Sequence, residues 1–193
     1  WIRSDFFSPV LQKMLIGDSR AIIKLLTLGK NWNPDVDRKL NALYQLLTQK
    51  HGKEKVIVFT QFADTAEYIT DNLKKRGLKK FECVTGDHEN PTAIAYRFSP
   101  ISNNKPEIIQ TKSDLRVLIS TDVLSEGQNL QDAHIVLNFD LPWAIIRLIQ
   151  RAGRVDRIGQ KAERILCYSF LPEEGINNII RLRERLRTRI RQN

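Results

Sequence analysis

Residues 55–85, KVIVFTQFADTAEYITDNLKKRGLKKFECVT, contain the pattern that decides the fold. Residues 55–60 form a short, mostly β-branched run with an apolar centre at 56–59, which predicts a strand buried on both faces. Residues 63–77 carry apolar side chains at helical spacing and end at Gly77, which is typical of a helix and its terminating glycine. Residues 81–85 predict a second strand. A strand, a helix and another strand in this order predict a parallel βαβ unit.

The same alternation continues on both sides of this unit. Apolar side chains at helical spacing predict a helix over residues 35–52. Downstream, the pattern predicts a short helix, two strands, a helix begun by Pro142 and a last strand, at residues 91–98, 115–121, 134–140, 142–154 and 164–171. Strands that are apolar throughout indicate a sheet with helices on both faces. We therefore predict a three-layer α/β fold with a central, mainly parallel sheet, plus helical segments at the ends.

This pattern divides the chain into three regions. Residues 1–34 predict a helical lead-in from a preceding region, residues 35–172 the α/β lobe, and residues 173–193 an arginine-rich helix with an apolar seam. Residues 99–114 predict a long polar loop, a type of segment that is often functional or mobile. The chain begins at Trp1, and we expect it to be an excerpt from a longer protein.

The charge balance favours an anionic partner. Lys and Arg number 31 against 22 Asp and Glu, which gives a net charge of +9. Nucleic acid and nucleotide phosphates are the simplest partners for such a chain. A generally basic surface without a dedicated ligand gives the same balance, so charge leaves both interpretations open.

Cysteine usage and hydropathy argue against a zinc-binding protein and a membrane-spanning protein. Cys83 and Cys167 lie in strand-like contexts, and we expect buried thiols in a reducing compartment. Neither belongs to a CxxC motif or a Cys/His cluster, so no zinc site is expected. No apolar run approaches the ~20 residues that a membrane span needs, so no membrane partner is expected.

Residues 150–160, QRAGRVDRIGQ, carry arginine at every third position: Arg151, Arg154 and Arg157. On a helix these side chains would lie close to one face. Arginine stays charged and binds phosphate oxygens with a planar fork. The segment therefore predicts a phosphate-facing site, against the alternative of a solvated basic face.

Polar residues follow three of the predicted strands. They are Thr60 and Gln61, Thr85, and Thr121 between Ser120 and Asp122. Ligands of parallel sheets bind beyond the carboxyl ends of the strands, so these residues mark a candidate working edge. The same residue types also cap helices, and both roles can hold together.

Some familiar motifs are missing from the sequence. There is no GxxxxGK[ST] loop to cradle phosphates, and no Asp-Glu pair after a strand to hold Mg²⁺. No serine stands in a G-x-S-x-G elbow. The chain therefore has no phosphate-cradling loop of that kind.

Four stretches in order resemble motifs of superfamily-two helicases. Residues 120–143, STDVLSEGQNLQDAHIVLNFDLPW, and 149–160, IQRAGRVDRIGQ, resemble motifs V and VI, most closely in the Swi/Snf-type branch that includes RNA-polymerase-associated ATPases. Residues 55–69 resemble motif IV, and residues 83–87 resemble the strand-end segment that follows it. The resemblance covers residues 35–171 and implies the second of two RecA-like lobes.

The resemblance also implies roles for individual residues. Arg154 and Arg157 match arginine fingers that reach across the cleft between the lobes. Gln150, Gly127 and Asn129 match positions that face ATP. The positions that match residues holding a nucleic-acid backbone are Thr60, Gln61, Thr85 and Thr121.

Cofactor and partners follow from the same resemblance. ATP with Mg²⁺ would be held mainly by a first RecA-like lobe of the same polypeptide, so this chain alone is expected to be inactive. Duplex DNA is the expected nucleic acid, RNA polymerase is the suggested protein partner, and the cytoplasm, near the nucleoid, is the expected location. Two alternatives stay open: a non-catalytic binding module with the same fold, and a lobe of a strand-separating RNA helicase.

Residues 74–80, KKRGLKK, would either track a phosphate backbone or form a solvated helix end.

Overall fold

The computed structural model of the chain describes residues 8–30, 32–124, 128–142 and 144–171. The chain divides into two compact units between Asp37 and Arg38. The first unit contains helix α1, Pro9–Gly29, whose first turn is capped by the Ser8 hydroxyl accepting from the Leu11 N–H at 3.2 Å. Within the described ranges, no helix is long and apolar enough to cross a membrane. The predicted helix over 173–193 lies outside the described residues.

The second unit is built on a parallel sheet of five strands. The strands are β1 Val56–Phe59, β2 Phe81–Val84, β3 Val117–Ser120, β4 Ile135–Asn138 and β5 Leu166–Ser169. Their order across the sheet is β2-β3-β1-β4-β5. The register pairs Val56 of β1 with Val117 of β3 on one side and with Ile135 of β4 on the other. The predicted α/β fold with a parallel sheet is confirmed.

Helices connect these strands. They are α2 Arg38–Gln45, α3 Ala63–Lys75, α4 Pro91–Phe98, α5 Glu107–Gln110 and α6 Ile145–Ala152, with a π-helical turn, Leu46–Lys50, extending α2. Helix α4 begins at Pro91, as the sequence predicts. The structure adds its cap, since Asn90 Oδ1 accepts from the Ala93 N–H at 3.0 Å.

Alternate side chains of each central strand enter two hydrophobic clusters on opposite faces of the sheet. Val56 and Val58 pack with residues of α2 and α3 on one face. Ile57 and Phe59 pack with residues of α4 on the other face. The two clusters are the reason that β1 is apolar at every position and β3 at its first three.

The structure corrects four local expectations. The helix expected from residue 35 begins at Arg38, after a short 3-10 turn, Pro34–Val36. The helix expected over 142–154 spans only Ile145–Ala152, because buried Pro142 lies in the connection from β4 and Ala144 is extended. The polar loop 99–114 contains helix α5. Cys83 is half-buried, and Cys167 is exposed because β5 is an edge strand.

Gly77 ends helix α3 with φ of +78°, a conformation that only glycine adopts without strain. We expect Gly77→Ala to lower the free energy of unfolding by about 1 kcal/mol, since a Cβ would meet open space and strain is the main cost. Urea unfolding measures this. Gly17→Ala is the control, because Gly17 lies in open space within α1 and should tolerate alanine without loss. Equal stability of Gly77→Ala and wild type would contradict the prediction.

Candidate nucleotide and nucleic-acid site

The carboxyl ends of the parallel strands place most of the predicted site residues along one edge of the sheet. Thr60 follows β1, Thr85 follows β2 and Thr121 follows β3. The Thr121 N–H donates to the Val84 carbonyl at 3.1 Å, which joins the ends of β2 and β3. The Thr121 hydroxyl is buried and has no hydrogen-bond partner among the described residues. Thr85 is half-buried at the same edge.

Asp140, two residues beyond β4, binds the end of β1. Its carboxylate accepts from the Thr60 hydroxyl and from the Gln61 N–H, whose nitrogen lies 3.0 and 2.9 Å from the two oxygens. Thr60 is fully buried. The Thr60 hydroxyl therefore joins the end of β1 to the segment after β4. The Gln61 side chain takes no part in these bonds, so it is the group of the two residues that could contact a ligand at this edge.

Arg151 is the most buried of the three arginines and supports the site from within. Only 2% of its side chain is exposed, and its guanidinium lies 5.3 Å from the centre of the Phe59 ring. Nε and Nη2 donate to the two oxygens of Asp122 at 2.7 and 3.1 Å, and Nη1 donates to Asn138 Oδ1 at 3.0 Å. This bidentate pair fixes helix α6 to the ends of β3 and β4.

Arg154 and Gln150 line a pocket of about 260 Å³ beside that pair. Other lining residues are Phe59, Asp122, Leu124, Arg147 and Arg151. Arg147 reaches Asp122 at 3.4 Å, whereas the Arg154 guanidinium has no hydrogen bond or ion pair in the part of the chain that the structure describes. The volume of the pocket is close to the lower end of the ~300–1,000 Å³ of ligand sites. Its lining of three arginines suits an anionic group such as phosphate.

The three arginines do not lie on one helix face, which corrects the expectation from their spacing. Helix α6 ends at Ala152, and residues 153–160, here called the arginine turn, follow as a series of turns. The Arg154 N–H donates only three residues back, to the Arg151 carbonyl at 3.2 Å. Arg151 therefore points into the core, while Arg154 and Arg157 extend from the turn.

The arginine turn is anchored at both ends. Arg157 Nη1 donates to the Gln128 carbonyl at 3.2 Å. Gln160 Nε2 donates to the carbonyls of Ala133 and Val155, each at 2.9 Å. Between them, Gly159 has φ of +98°, which glycine adopts without strain. In the sequence RIGQ, Gly159 therefore allows the chain to turn, and Gln160 holds the turn in place through its hydrogen bonds.

Asn129 faces away from the arginine pocket in this conformation. Its Nδ2 donates to the Ser102 carbonyl at 3.2 Å, in the segment between α4 and α5. Gly127 lies outside the described residues. The structure therefore brings Gln150 and Arg154 together, places Arg157 on a neighbouring part of the same turn, and binds Asn129 elsewhere.

The basic stretch 74–80 lies at the other edge of the sheet. Helix α3 runs from the carboxyl end of β1 to the amino end of β2, so these residues precede β2. Lys80 pairs with Asp114 at 2.9 Å. The stretch is thus separated from the arginine pocket by the length of the strands.

Within the described ranges, no group of three or more His, Cys, Asp or Glu residues could hold a metal ion. Asp122 and Asp140 are each bound to donors of this chain. The donors present, mainly arginine and backbone N–H groups, fit phosphate oxygens.

Asp140, Asn138 and the pairing of Arg151 with Asp122 were not predicted as parts of the site. Asp122 and Asp140 each stand two residues after a strand, which is the signal that could have found them. Their partners are more than 25 residues away along the chain, and a sequence does not show which carboxylate meets which donor.

A family model and curated relatives match most of this chain in sequence. The family model described as the helicase conserved C-terminal domain matches residues 38–159. The ATP-dependent RNA helicase DBP8 of Kluyveromyces lactis is 30% identical over 156 residues, which is 80% of this chain and 32% of that protein. The RNA polymerase-associated protein RapA of Vibrio cholerae is 33% identical over 140 residues, which is 71% of this chain and 13% of that protein.

Solved structures agree on the fold. The C-terminal part of the Fun30 ATPase domain superposes with a TM-score of 0.57 at 21% identity, over 82% of this chain and 53% of that one. A DEAD box protein from Methanococcus jannaschii gives a TM-score of 0.54 at 20% identity, over 85% of this chain and 46% of that one. The chain spans about a third or less of the length of the curated relatives described above. It belongs to the helicase conserved C-terminal domain family, as the RecA-like C-terminal lobe of a superfamily-two helicase.

Proposed function

We propose that this chain is the second motor lobe of an ATP-dependent Swi/Snf-type DNA translocase. A first RecA-like lobe of the same polypeptide would hold ATP and Mg²⁺, and closure of the two lobes would complete the site. The observation that carries this proposal is Arg154, whose guanidinium lines a pocket at the carboxyl edge of the sheet and has no hydrogen bond or ion pair within the described residues.

Each residue of the pocket has a distinct part in the proposal. The Arg154 fork would neutralise charge that develops on the transferring phosphoryl group, and Arg157 would join it from the same turn. Gln150, on the helix face beside Arg154, would contact the terminal phosphate. The first lobe would hold Mg²⁺, which would supply further positive charge for the phosphates. Gly127 and Asn129 would face the nucleotide, and for Asn129 this requires release from Ser102.

The strand ends would hold the nucleic-acid backbone. Gln61, Thr85 and Thr121 stand at one edge, and Thr60 braces that edge through Asp140. Backbone amides and hydroxyls suit phosphate oxygens and carry no sequence information. Such binding would be independent of sequence and would weaken as salt is raised.

Similarity to RapA, an RNA polymerase-associated protein by name, supports RNA polymerase as a partner. The resemblance of RIGQ to the Swi/Snf-type branch supports duplex DNA as the substrate, and the proposed location is the cytoplasm, near the nucleoid. Similarity to DBP8, an RNA helicase by name, supports a second candidate function, strand separation on RNA. Both candidates use the same arginine pocket and differ in the nucleic acid and in the work performed.

ATP hydrolysis by the full-length protein, with duplex DNA, single-stranded DNA and RNA added in turn, separates these functions. We expect duplex DNA to stimulate hydrolysis most, and the 193-residue chain alone to hydrolyse no ATP, because it lacks a phosphate loop. A protein-displacement assay beside a strand-separation assay then tests the type of work. Strongest stimulation by RNA, with unwinding, would favour the second candidate, and no hydrolysis under any condition would leave a non-catalytic binding module.

A further inference from the structure

We infer that residues 99–104, here called the Ser99 turn, position Arg157 through the segment that carries its hydrogen-bond acceptor. This inference rests on the proposed function for its catalytic consequence. The Ser99 turn matches no helicase motif in the sequence, and it lines neither the arginine pocket nor the strand ends that would hold nucleic acid.

The Ser99 turn is bound to residues 128–133, here called the bridging segment, by its backbone and its side chains. The Asp132 carboxylate accepts from the Ile101 and Ser102 N–H groups, each at 2.8 Å, and also from the Ser102 hydroxyl. In return, the Asp132 N–H donates to the Ser99 hydroxyl at 3.0 Å, where Ser99 is fully buried. Four hydrogen bonds to one residue make this a fixed attachment rather than a chance surface contact.

Asn103 adds a second attachment through its amide nitrogen. Its Nδ2 donates to the Ser99 carbonyl and to the Asn129 carbonyl, each at 2.7 Å. The Asn129 side chain donates back to the Ser102 carbonyl at 3.2 Å. An amide nitrogen has two protons, so both donors of Asn103 are used.

On its other side, the bridging segment holds the arginine turn. The Gln128 carbonyl accepts from Arg157 Nη1 at 3.2 Å, and Gln131 Nε2 donates to the Ile158 carbonyl at 3.1 Å. The Ala133 carbonyl accepts from Gln160 at 2.9 Å. Residues 128–133 are therefore clamped between the Ser99 turn and the arginine turn, and a shift of one clamp would move the other.

Asn103→Asp is the sharpest single change to this clamp. It keeps the shape of the side chain but places carboxylate oxygens against two carbonyl oxygens, so both hydrogen bonds are lost and repulsion is added. Asn104→Asp is the matched control. It makes the same chemical change at the next residue, which is exposed, has no recorded side-chain hydrogen bond, and has φ of +54°, a conformation that aspartate tolerates.

The first measurement is hydrogen exchange of the full-length protein, followed by mass spectrometry of peptides covering 128–133 and 153–160. We expect Asn103→Asp to raise exchange about tenfold in both segments and Asn104→Asp in neither. This measurement does not depend on ATP hydrolysis, so it tests the coupling even if the proposed function fails. Faster exchange in 128–133 without any change in 153–160 would overturn the inference.

The second measurement is ATP hydrolysis by Asn103→Asp, by Arg157→Ala and by the double variant. A turn that acts through Arg157 should lower kcat about tenfold with little change in KM, and the loss should disappear in the Arg157→Ala background. An equal loss in both backgrounds would assign Asn103 a general role in stability instead. A wild-type kcat in Asn103→Asp would also overturn the inference, whereas absent hydrolysis in the wild-type protein would count against the proposed function alone.

Discussion

Arg154→Ala should lower the rate of ATP hydrolysis by the full-length protein about 10³-fold, at the lower end of the effects known for arginine fingers. Arg154 is expected to act on charge that develops in the transition state, so nucleotide affinity should change far less than kcat. Its guanidinium has no hydrogen bond or ion pair in the described part of the chain, so its removal breaks no polar interaction of the fold there. Single-turnover hydrolysis and equilibrium binding of ATP measure the two effects separately.

Arg164→Ala is the control for this prediction, because Arg164 is exposed and does not line the arginine pocket. Arg154→Lys adds a second test. Lysine keeps the charge but lacks the planar fork, so it should recover only part of the lost rate. A rate within threefold of wild type for Arg154→Ala would end the assignment of Arg154 as a finger, as ~10³ is expected.

Asp122→Asn should lower the free energy of unfolding by about 2 kcal/mol. Breaking a buried ion pair costs ~3–5 kcal/mol, because one charge is left buried without its partner. Arg151 is only 2% exposed, but 35% of the Asp122 side chain is in contact with water, so solvent compensates for part of the loss. Asn138 also keeps its hydrogen bond to Arg151. Urea unfolding of the chain, followed by circular dichroism, measures the change.

Asp156→Asn is the matched control, since it removes one negative charge from an exposed residue of the arginine turn. It should leave the free energy of unfolding unchanged within about 0.5 kcal/mol. If both variants lose the same stability, net charge rather than the pair with Arg151 is responsible. If neither loses any, the pair contributes nothing measurable.

The fold was predictable because the signals for it are local. Residues 56–59 are apolar at every position, which requires cover on both faces, and the two clusters provide that cover. Caps are equally local, as at Asn90 and Pro91. The start of α6 was not predictable in this way, because Pro142 can begin a helix or fill a buried connection, and tertiary packing decides between them.

The site was predictable only in part, for a reason that the arginines illustrate. Spacing of three suggested one helix face, but the helix ends before Arg154, and only Arg151 turns inward to Asp122. Likewise, Thr60 was identified from its place after a strand, but its bond to Asp140 joins residues that are distant in sequence. The local sequence pattern indicates which residues lie at the carboxyl edge of the sheet. Contacts between residues distant in sequence decide which of their polar groups are bound within the protein and which can meet a ligand.

The central position of β1 has a consequence for biosynthesis. Val56 leaves the ribosome before either of its sheet partners, Val117 and Ile135, exists. At about 5–20 residues per second, the nascent chain waits roughly 3–12 seconds for the first of them. During that time the segment Val-Ile-Val-Phe has both backbone edges unpaired and is prone to intermolecular association. The strand that organises the finished lobe is thus its most vulnerable part during translation, and we expect chaperone binding to concentrate there.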